Sequence, residues 1–287
     1  MSHVLSELLT LLRLERLEQN LFRGQSQDLG WGTVFGGQVL GQALSAAEQT
    51  VPPERRVHSL HGYFLRKGDT ALPIIYDVDC IRDGRSFTTR RVVAIQKGRA
   101  IFNMSASFQQ HEVGLEHQVP APQTSGPEGL RSEQELALEL EHLIPAALRP
   151  GALAEKPIEI RPVDPIDPSD PSVRPPRRQV WFRANGSLPE DLRVHQHLLA
   201  YASDFHLLGC ALQPHGVSWL TPGLQVASLD HAMWFHQPFR LDEWLLYDID
   251  SPSSSSARGL SRGQFFTRAG VLVASTAQEG LFRRWES

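Results

Sequence analysis

The 287-residue chain holds only two cysteines, Cys80 and Cys210. Two thiols cannot build a disulfide framework, so a reducing compartment is the simplest reading. No run of about 18 apolar residues occurs, which removes a transmembrane helix. Met1 to Leu12 lacks a basic region followed by a continuous apolar stretch, so no secretory signal is expected. The final residues, Arg284-Trp285-Glu286-Ser287, are not a Ser-Lys-Leu peroxisomal address. Cytoplasm is the location expected by elimination, with no membrane partner. Positive charge is also scarce: 28 Lys and Arg against 32 Asp and Glu give a formal net charge of -4. Without a basic footprint to offset phosphates, nucleic acid is not an expected partner. No Gly-x-Ser-x-Gly elbow occurs, which argues against an α/β-hydrolase serine. The loop from Gly32 to Gln38 lacks the lysine of a phosphate-binding loop, and Phe35 stands where a dinucleotide fingerprint needs glycine. His111 and His117 are separated by six residues, which places them about 120° apart on a helix. A solvated loop explains them, with Glu112, better than a zinc site. Neither metal nor cofactor is expected.

What is present supports a globular fold. Hydrophobic residues make up 41% and charged residues 21%, enough to bury a core. The length suits one large domain or two ordinary ones. Val4 to Leu17 places leucines near one helical face. A Gly-rich stretch, Leu29 to Gln38, leads into a helix over Val39 to Thr50, whose small residues allow close approach to a sheet. Pro52 and Pro53 end it. Four strands are predicted next, at His58 to Leu65, Pro73 to Ile81, Phe87 to Gln96 and Ala100 to Gln109, with Asp83-Gly84 as a hairpin signal. Twelve of the twenty prolines fall between residues 111 and 180. This stretch reads mostly as a stiff linker. It includes a helix over Ser132 to Leu148, capped by Ser132 and Glu135, and a strand over Ile158 to Val163.

The second half repeats the first. A capping box at Ser187 and Glu190 is expected to start a helix that reaches Asp204. Strands follow at Leu224 to Phe235, Glu243 to Ser251, Ser256 to Arg268 and Val271 to Phe282. Ile74-Ile75-Tyr76-Asp77-Val78-Asp79 echoes Leu245-Leu246-Tyr247-Asp248-Ile249-Asp250, and His61 to Leu65 resembles His231 to Phe235. A repeat exceeding a hundred residues indicates two fused copies of one α+β fold, each a helix with an antiparallel meander. The units are expected at residues 1–115 and 155–287, with the linker and its helix over 116–154. Matching His231 to His61 pairs Ser228 with His58. Matching Thr276-Ala277 to Ser105-Ala106 pairs Gln278 with Ser107. On that alignment the first half lacks a hydroxyl–amide pair, and one working site per chain is expected.

A thioester can be cleaved without metal or covalent nucleophile, by a group that deprotonates water and donors for the developing oxyanion. Asp204 sits in the mostly apolar segment Leu198 to Phe205, where an unpaired charge is costly. Ser228 and Gln278 each donate and accept hydrogen bonds, so together they can pin a water beside it. Alternation turns Asp230 and Glu279 to the opposite face. Spacing alone leaves plainer readings open: a helix-end carboxylate and two edge-strand polar residues.

Many ordered segments resemble the bacterial acyl-CoA thioesterase II family, whose eukaryotic relatives are the peroxisomal acyl-CoA thioesterases. They include Leu21-Phe22-Arg23-Gly24-Gln25-Ser26, Val34-Phe35-Gly36-Gly37-Gln38-Val39, Arg178-Gln179-Val180-Trp181, Tyr201-Ala202-Ser203-Asp204, Leu229-Asp230-His231 and Gly270 to Thr276. The resemblance spans essentially the whole chain. It implies a double hotdog fold, in which each half wraps a sheet around a helix and the two sheets pair. It implies hydrolysis of acyl-CoA, medium- to long-chain, to fatty acid and CoA, a reaction of fatty acid metabolism. The family's Asp, Thr or Ser, and Gln carry over to Asp204, Ser228 and Gln278. Serine keeps the hydroxyl of the usual bacterial threonine and loses the methyl that restricts its rotamer. Gly36, Gly37 and Gln38 are candidate oxyanion donors, and with His58 they form the candidate substrate-binding set. The family also implies a homo-dimer or homo-tetramer. Two rivals share the fold. A hotdog enoyl-CoA hydratase needs an Asp-x-Asn-Pro-x-His type of segment, which is missing. A non-catalytic acyl-CoA-binding protein differs only in turnover.

Overall fold

The computed structural model describes residues 2–144, 146 and 148–284. The last three residues of the C-terminal tetrapeptide, and Pro145 and Ala147 of the expected linker helix, lie outside the described residues. The first helix, α1 (His3–Leu12), buries Leu5, Leu8 and Leu12, and the Ser2 side chain caps it by accepting from Leu5 N. It stops five residues short of the expected end. Leu17 instead lies on an exposed strand, β1 (Glu15–Glu18), which pairs with β2 (Leu21–Gly24). The central helix α2 (Gly36–Glu48) is buried from Gly37 onward. The strands β3 (Arg55–Phe64), β4 (Ile74–Asp83), β5 (Phe87–Gln96) and β6 (Arg99–Gln110) form within three residues of their predicted bounds.

The proline-rich region, expected to be mostly a stiff linker, also packs on the second half. Its capping box at Ser132 and Glu135 forms, but the helix α3 (Glu133–Glu139) is short and α4 (Arg149–Leu153) follows separately. The segment covers the outer face of the second half: Trp181 Nε1 donates to Ser125 O at 2.9 Å, and Arg161 reaches Pro127 O and Leu130 O. There Trp181, Trp244, Leu246 and Phe266 make a small second core, closed by Ala121 and Leu130.

The second half comprises β7 (Ile158–Pro162), β8 (Arg177–Ala184), α5 (Leu192–Ser203), α6 (Leu207–Leu212), β9 (Leu224–Ser228), β10 (Asp230–Phe235), β11 (Leu245–Ser255), β12 (Arg258–Thr267) and β13 (Leu272–Arg284). The expected cap at Ser187 and Glu190 does not start α5. Leu188 N is taken by Asp242 instead, and Asp191 caps the helix by accepting from Arg193 N. The expected strand Leu224 to Phe235 is broken at Leu229 into β9 and β10.

The thirteen strands among the described residues belong to one sheet. Its order is β1-β2-β4-β5-β6-β3-β10-β13-β12-β11-β8-β7, with β9 on β13. The two halves therefore mirror each other about the antiparallel β3·β10 seam, and α2 packs against α5. The hexapeptide repeat is structural. Tyr76 and Tyr247 both turn inward and are fully buried, while Asp79 pairs with Arg91 and Asp250 with Arg262 outside. The hairpins β5–β6 and β12–β13 shift register at matching places, Ala94/Ile95 and Phe265/Phe266.

That register corrects the sequence alignment by one residue. His61 is exposed whereas His231 is completely buried, so they face opposite sides of the sheet. The buried Leu60 is the counterpart of His231. The register shift at His58, between Val57 and Ser59, matches the break at Leu229, which pairs Val57 with Ser228. Ala94 pairs with Phe102, eight residues on, and Phe265 with Ala274, nine residues on, so the connection from β12 to β13 is one residue longer in register than that from β5 to β6. Buried Ala106, not Ser107, therefore corresponds to Gln278.

Candidate active site

Helix α5 ends at Ser203, and Asp204 is its C-cap with φ -77° and ψ -14°. His206, at φ 72°, takes the left-handed conformation that turns the chain into α6. Behind this turn, His206 Nε2 lies 3.4 Å from Glu133 Oε1 of α3. In front, Asp204 faces the start of α2, where the nearby backbone N–H of Gly37 favours its ionised form. The positive end of a thirteen-residue helix is thus aimed at the acid. The approach is too close for a side chain. A Cβ on Gly36 would stand 2.6 Å from Asp204 Oδ2, and one on Gly37 would stand 2.2 Å from Tyr201 O. Glycine at both positions is a steric requirement of the contact between α2 and α5.

The sheet supplies the other two groups. Gln278 is fully buried on the inner face of β13. Its Nε2 donates to Asp204 Oδ1 at 3.0 Å and to Ser228 Oγ at 2.8 Å. Ser228 ends β9, held opposite Gly280. Asp230 accepts from Glu279 N at 2.7 Å, and Glu279 pairs with Arg258, so both stay off this network. Burial pushes the Asp204 carboxyl above its ordinary value. The neighbouring His231, the Gln278 amide and the Gly37 N–H each favour the ionised form but do not reverse that direction. Aromatic rings form one wall: Phe35 stacks on Phe205 at 4.5 Å and meets Tyr201 at 5.2 Å and Trp31 at 5.5 Å, edge to face. A carboxylate with raised pKa, a hydroxyl and fixed amide hydrogens beside an apolar wall can activate a water against an electrophilic carbon.

Known proteins share this frame. Residues 156–281 match the family described as acyl-CoA thioesterase, and residues 26–109 match its N-terminal domain. Acyl-CoA thioesterase 2 of Haemophilus influenzae is 44% identical over 283 residues, 99% of each chain. Acyl-coenzyme A thioesterase 8 of Homo sapiens is 42% identical over 282 residues, covering 96% of this chain and 88% of its own. The chain belongs to the acyl-CoA thioesterase family. A solved acyl-CoA thioesterase II from Mycobacterium marinum superposes with TM-score 0.77 at 42% identity, over 97% of this chain and 99% of that one. A protein from Alicyclobacillus acidocaldarius described as having a hot dog fold superposes at TM-score 0.78 with 16% identity, a likeness of fold alone. The architecture is the α+β double hotdog.

Within this thioesterase fold, Asp204, Ser228, Gln278, Gly36 and Gly37 come together. Two other candidates do not join them. The Gln38 side chain turns away, donating to Gln25 O at 3.0 Å and accepting from Gln27 N at 3.0 Å, so it braces the loop before α2. His58 bonds Ser107 at 2.8 Å near the far end of β3. Phe64, which lies against Gly36, is six residues away, about 20 Å along a strand. His111, Glu112 and His117 lie in an exposed stretch without helix. Sequence reasoning missed His231, which bonds Gln278, and Phe64, which lines the Gly36 contact. Alternation counted back from Gln278 across the β10–β13 pair is the signal that finds His231.

Proposed function

We propose that this chain is an acyl-CoA thioester hydrolase in which Asp204 activates a water held by Ser228. Membership of the thioesterase family supports the reaction. The observation that carries the mechanism is the Gln278 amide, which donates one hydrogen to Asp204 and the other to Ser228. With Oδ1 tied to Gln278, the second oxygen of Asp204 is left to accept a proton from water. Ser228 accepts from Gln278, so its own hydroxyl hydrogen is left to orient that water. Hydroxide attacks the thioester carbonyl carbon, and a C–O bond forms as Asp204 takes the proton. The tetrahedral oxyanion is stabilised at the start of α2, where the first backbone N–H groups lack intrahelical partners and Gly36 N–H is the proposed donor. Collapse breaks the C–S bond, and protonated Asp204 returns the proton to the departing CoA sulfur. The products are a carboxylic acid and free CoA. The wall of Trp31, Phe35, Tyr201 and Phe205 supports a medium- to long-chain acyl group and exclusion of bulk water.

Steady-state hydrolysis across an acyl-CoA chain-length series, with wild type and Asp204→Asn, tests this. The variant is expected to lose about 10²- to 10⁴-fold in kcat, the usual weight of a general base. Equal turnover by both proteins rules out Asp204 as the base. Turnover by neither protein favours a non-catalytic binder.

We also propose the cytoplasm as its location, on the strength of two cysteines without a disulfide partner, and a homo-dimer or homo-tetramer as its state. The exposed Tyr63 and the His61–Trp234 contact on the outer seam support association. Among the described residues, no helix is long and apolar enough to cross a membrane. The unit boundaries at 1–115, 116–154 and 155–287 belong to the same proposal.

A further inference from the structure

Gln278 has two amide hydrogens and one carbonyl oxygen, and all three are engaged. The hydrogens go to Asp204 Oδ1 at 3.0 Å and Ser228 Oγ at 2.8 Å. The oxygen lies 2.8 Å from Nδ1 of His231. An ionised carboxylate only accepts, so the amide nitrogen must face Asp204 and the oxygen must face His231. Two acceptors cannot share a hydrogen bond, so Nδ1 carries a proton. The other ring nitrogen, Nε2, is 2.9 Å from Ser203 Oγ, the residue before Asp204. His231 is completely buried on β10.

We infer that His231 is a positioning residue, which holds the Gln278 amide in the orientation that offers both hydrogens to Asp204 and Ser228. Without that donor the amide loses one of the three bonds that fix its orientation, and a flip costs less. A flipped amide sets its oxygen against the Asp204 carboxylate, displacing the base and freeing Ser228. Through Ser203 the same imidazole ties β10 to the turn that carries Asp204.

The fold contains its own control. Leu60 occupies the equivalent position on β3, directly opposite Ala106, and is equally buried. The strand closes with leucine there, so packing does not demand histidine. A buried imidazole is costly unless its polar atoms are bonded, and here both are.

This inference rests on the proposed role of Gln278, and the experiment separates the two. His231→Leu copies the first half. It is expected to lower kcat by about 10- to 100-fold with little change in KM, as loss of an outer support does. His231→Asn places an amide nitrogen near the Nδ1 position and should recover most of the loss. His231→Gln places it near Nε2 and should not. In a Gln278→Ala background, His231→Leu should cost no more than about twofold further, because there is no amide left to orient. Wild-type kcat in His231→Leu, equal losses in the Asn and Leu variants, or full additivity with Gln278→Ala overturns the inference. If Gln278→Ala itself turns over like wild type, the reading of the site fails instead. If the His231 variants do not fold, the ¹⁵N resonances of the wild-type imidazole decide: a bare Nδ1 at neutral pH overturns the inference, and a protonated one upholds it.

Discussion

In the first half, Val57, Leu60 and Ala106 stand where the second half has Ser228, His231 and Gln278. The backbone around both sets is alike: a register shift at His58 or a strand break at Leu229, and a hairpin with one register shift. Apolar residues at the three positions make a piece of core. Polar residues make a linked network around a carboxylate. The helices differ as well. The start of α2 has Gly36 pressed against Asp204 and Gly37 against Tyr201 O, whereas α5 begins Leu192, Arg193 and Val194, with Leu192 and Val194 packed on the core. The duplicated fold thus supplies a scaffold twice and the chemistry once. We expect a non-hydrolysable acyl-CoA analogue to fill one productive site per chain.

The contrast between the helix starts gives the larger of the remaining effects. Gly37→Ala forces a methyl group into the position 2.2 Å from Tyr201 O, so α2 must move off α5 and carry its N–H groups away from Asp204. A displacement of that order costs about 100-fold in kcat. Unchanged kinetics would mean that the glycine start of α2 is packing only. Ser228→Ala makes the second half resemble Val57 of the first. Loss of one hydrogen bond predicts a fall of about tenfold. Ser228→Thr keeps the hydroxyl and should retain activity. A threonine variant as slow as alanine would show that the site cannot accommodate the extra methyl.

Much of this contrast could be anticipated, but unevenly. The four first-half strands were legible because turn residues bracket alternating apolar positions. The hexapeptide exposed the duplication because inward Tyr76 and Tyr247 and outward Asp79 and Asp250 serve the same purposes in each half. Four short elements escaped. β1 and β2 are too short for a period, α6 has six residues, and β8 follows directly on Pro175-Pro176 at the end of a proline-rich stretch. The repeat was misaligned by one because histidine was matched to histidine. Facing, not identity, decides equivalence in a strand, and a single bulge reverses it. The trio of Asp204, Ser228 and Gln278 came from family resemblance. Their spacing alone left them ordinary, since they come from a helix end and two strands that only the closed sheet brings together. The Asp204 contact with Gly36 crosses between halves, which no local pattern reveals.

The acid limb of the pH–rate profile should follow the second half alone. Burial raises the Asp204 carboxyl, and a general base must be ionised. Activity should therefore fall as pH drops through that raised value, above the range where an exposed aspartate protonates. His231, Tyr201 and Tyr247 also lie near Asp204, but the two phenols are held upward by burial and remain neutral across the limb. Gln278 donates to the ionised carboxylate and so lowers its pKa. Gln278→Met should shift the limb to higher pH in whatever activity remains. A shift downward would contradict the assignment of the limb to Asp204.

The smallest effect on catalysis is expected from the first half's own buried acid. Glu48, near the end of α2, is 2% exposed and lies 2.6 Å from His197 Nε2 of α5. It resembles Asp204 in being a carboxylate near the end of a central helix. It lacks the rest of the arrangement: Val57, Leu60 and Ala106 offer no hydroxyl, imidazole or amide. Its role is to bind α2 to α5. Glu48→Gln keeps the shape and a hydrogen-bonding group while replacing the carboxyl with an amide. The expected cost is about 1–3 kcal/mol of stability, read as a lower Tm, because a buried polar contact is weakened. The kcat per folded chain should stay within about twofold, since one weakened contact away from the reacting groups is a stability defect rather than a catalytic one. A large loss of kcat in folded Glu48→Gln would mean that the first half takes part in the chemistry, and the division between scaffold and site would have to be redrawn.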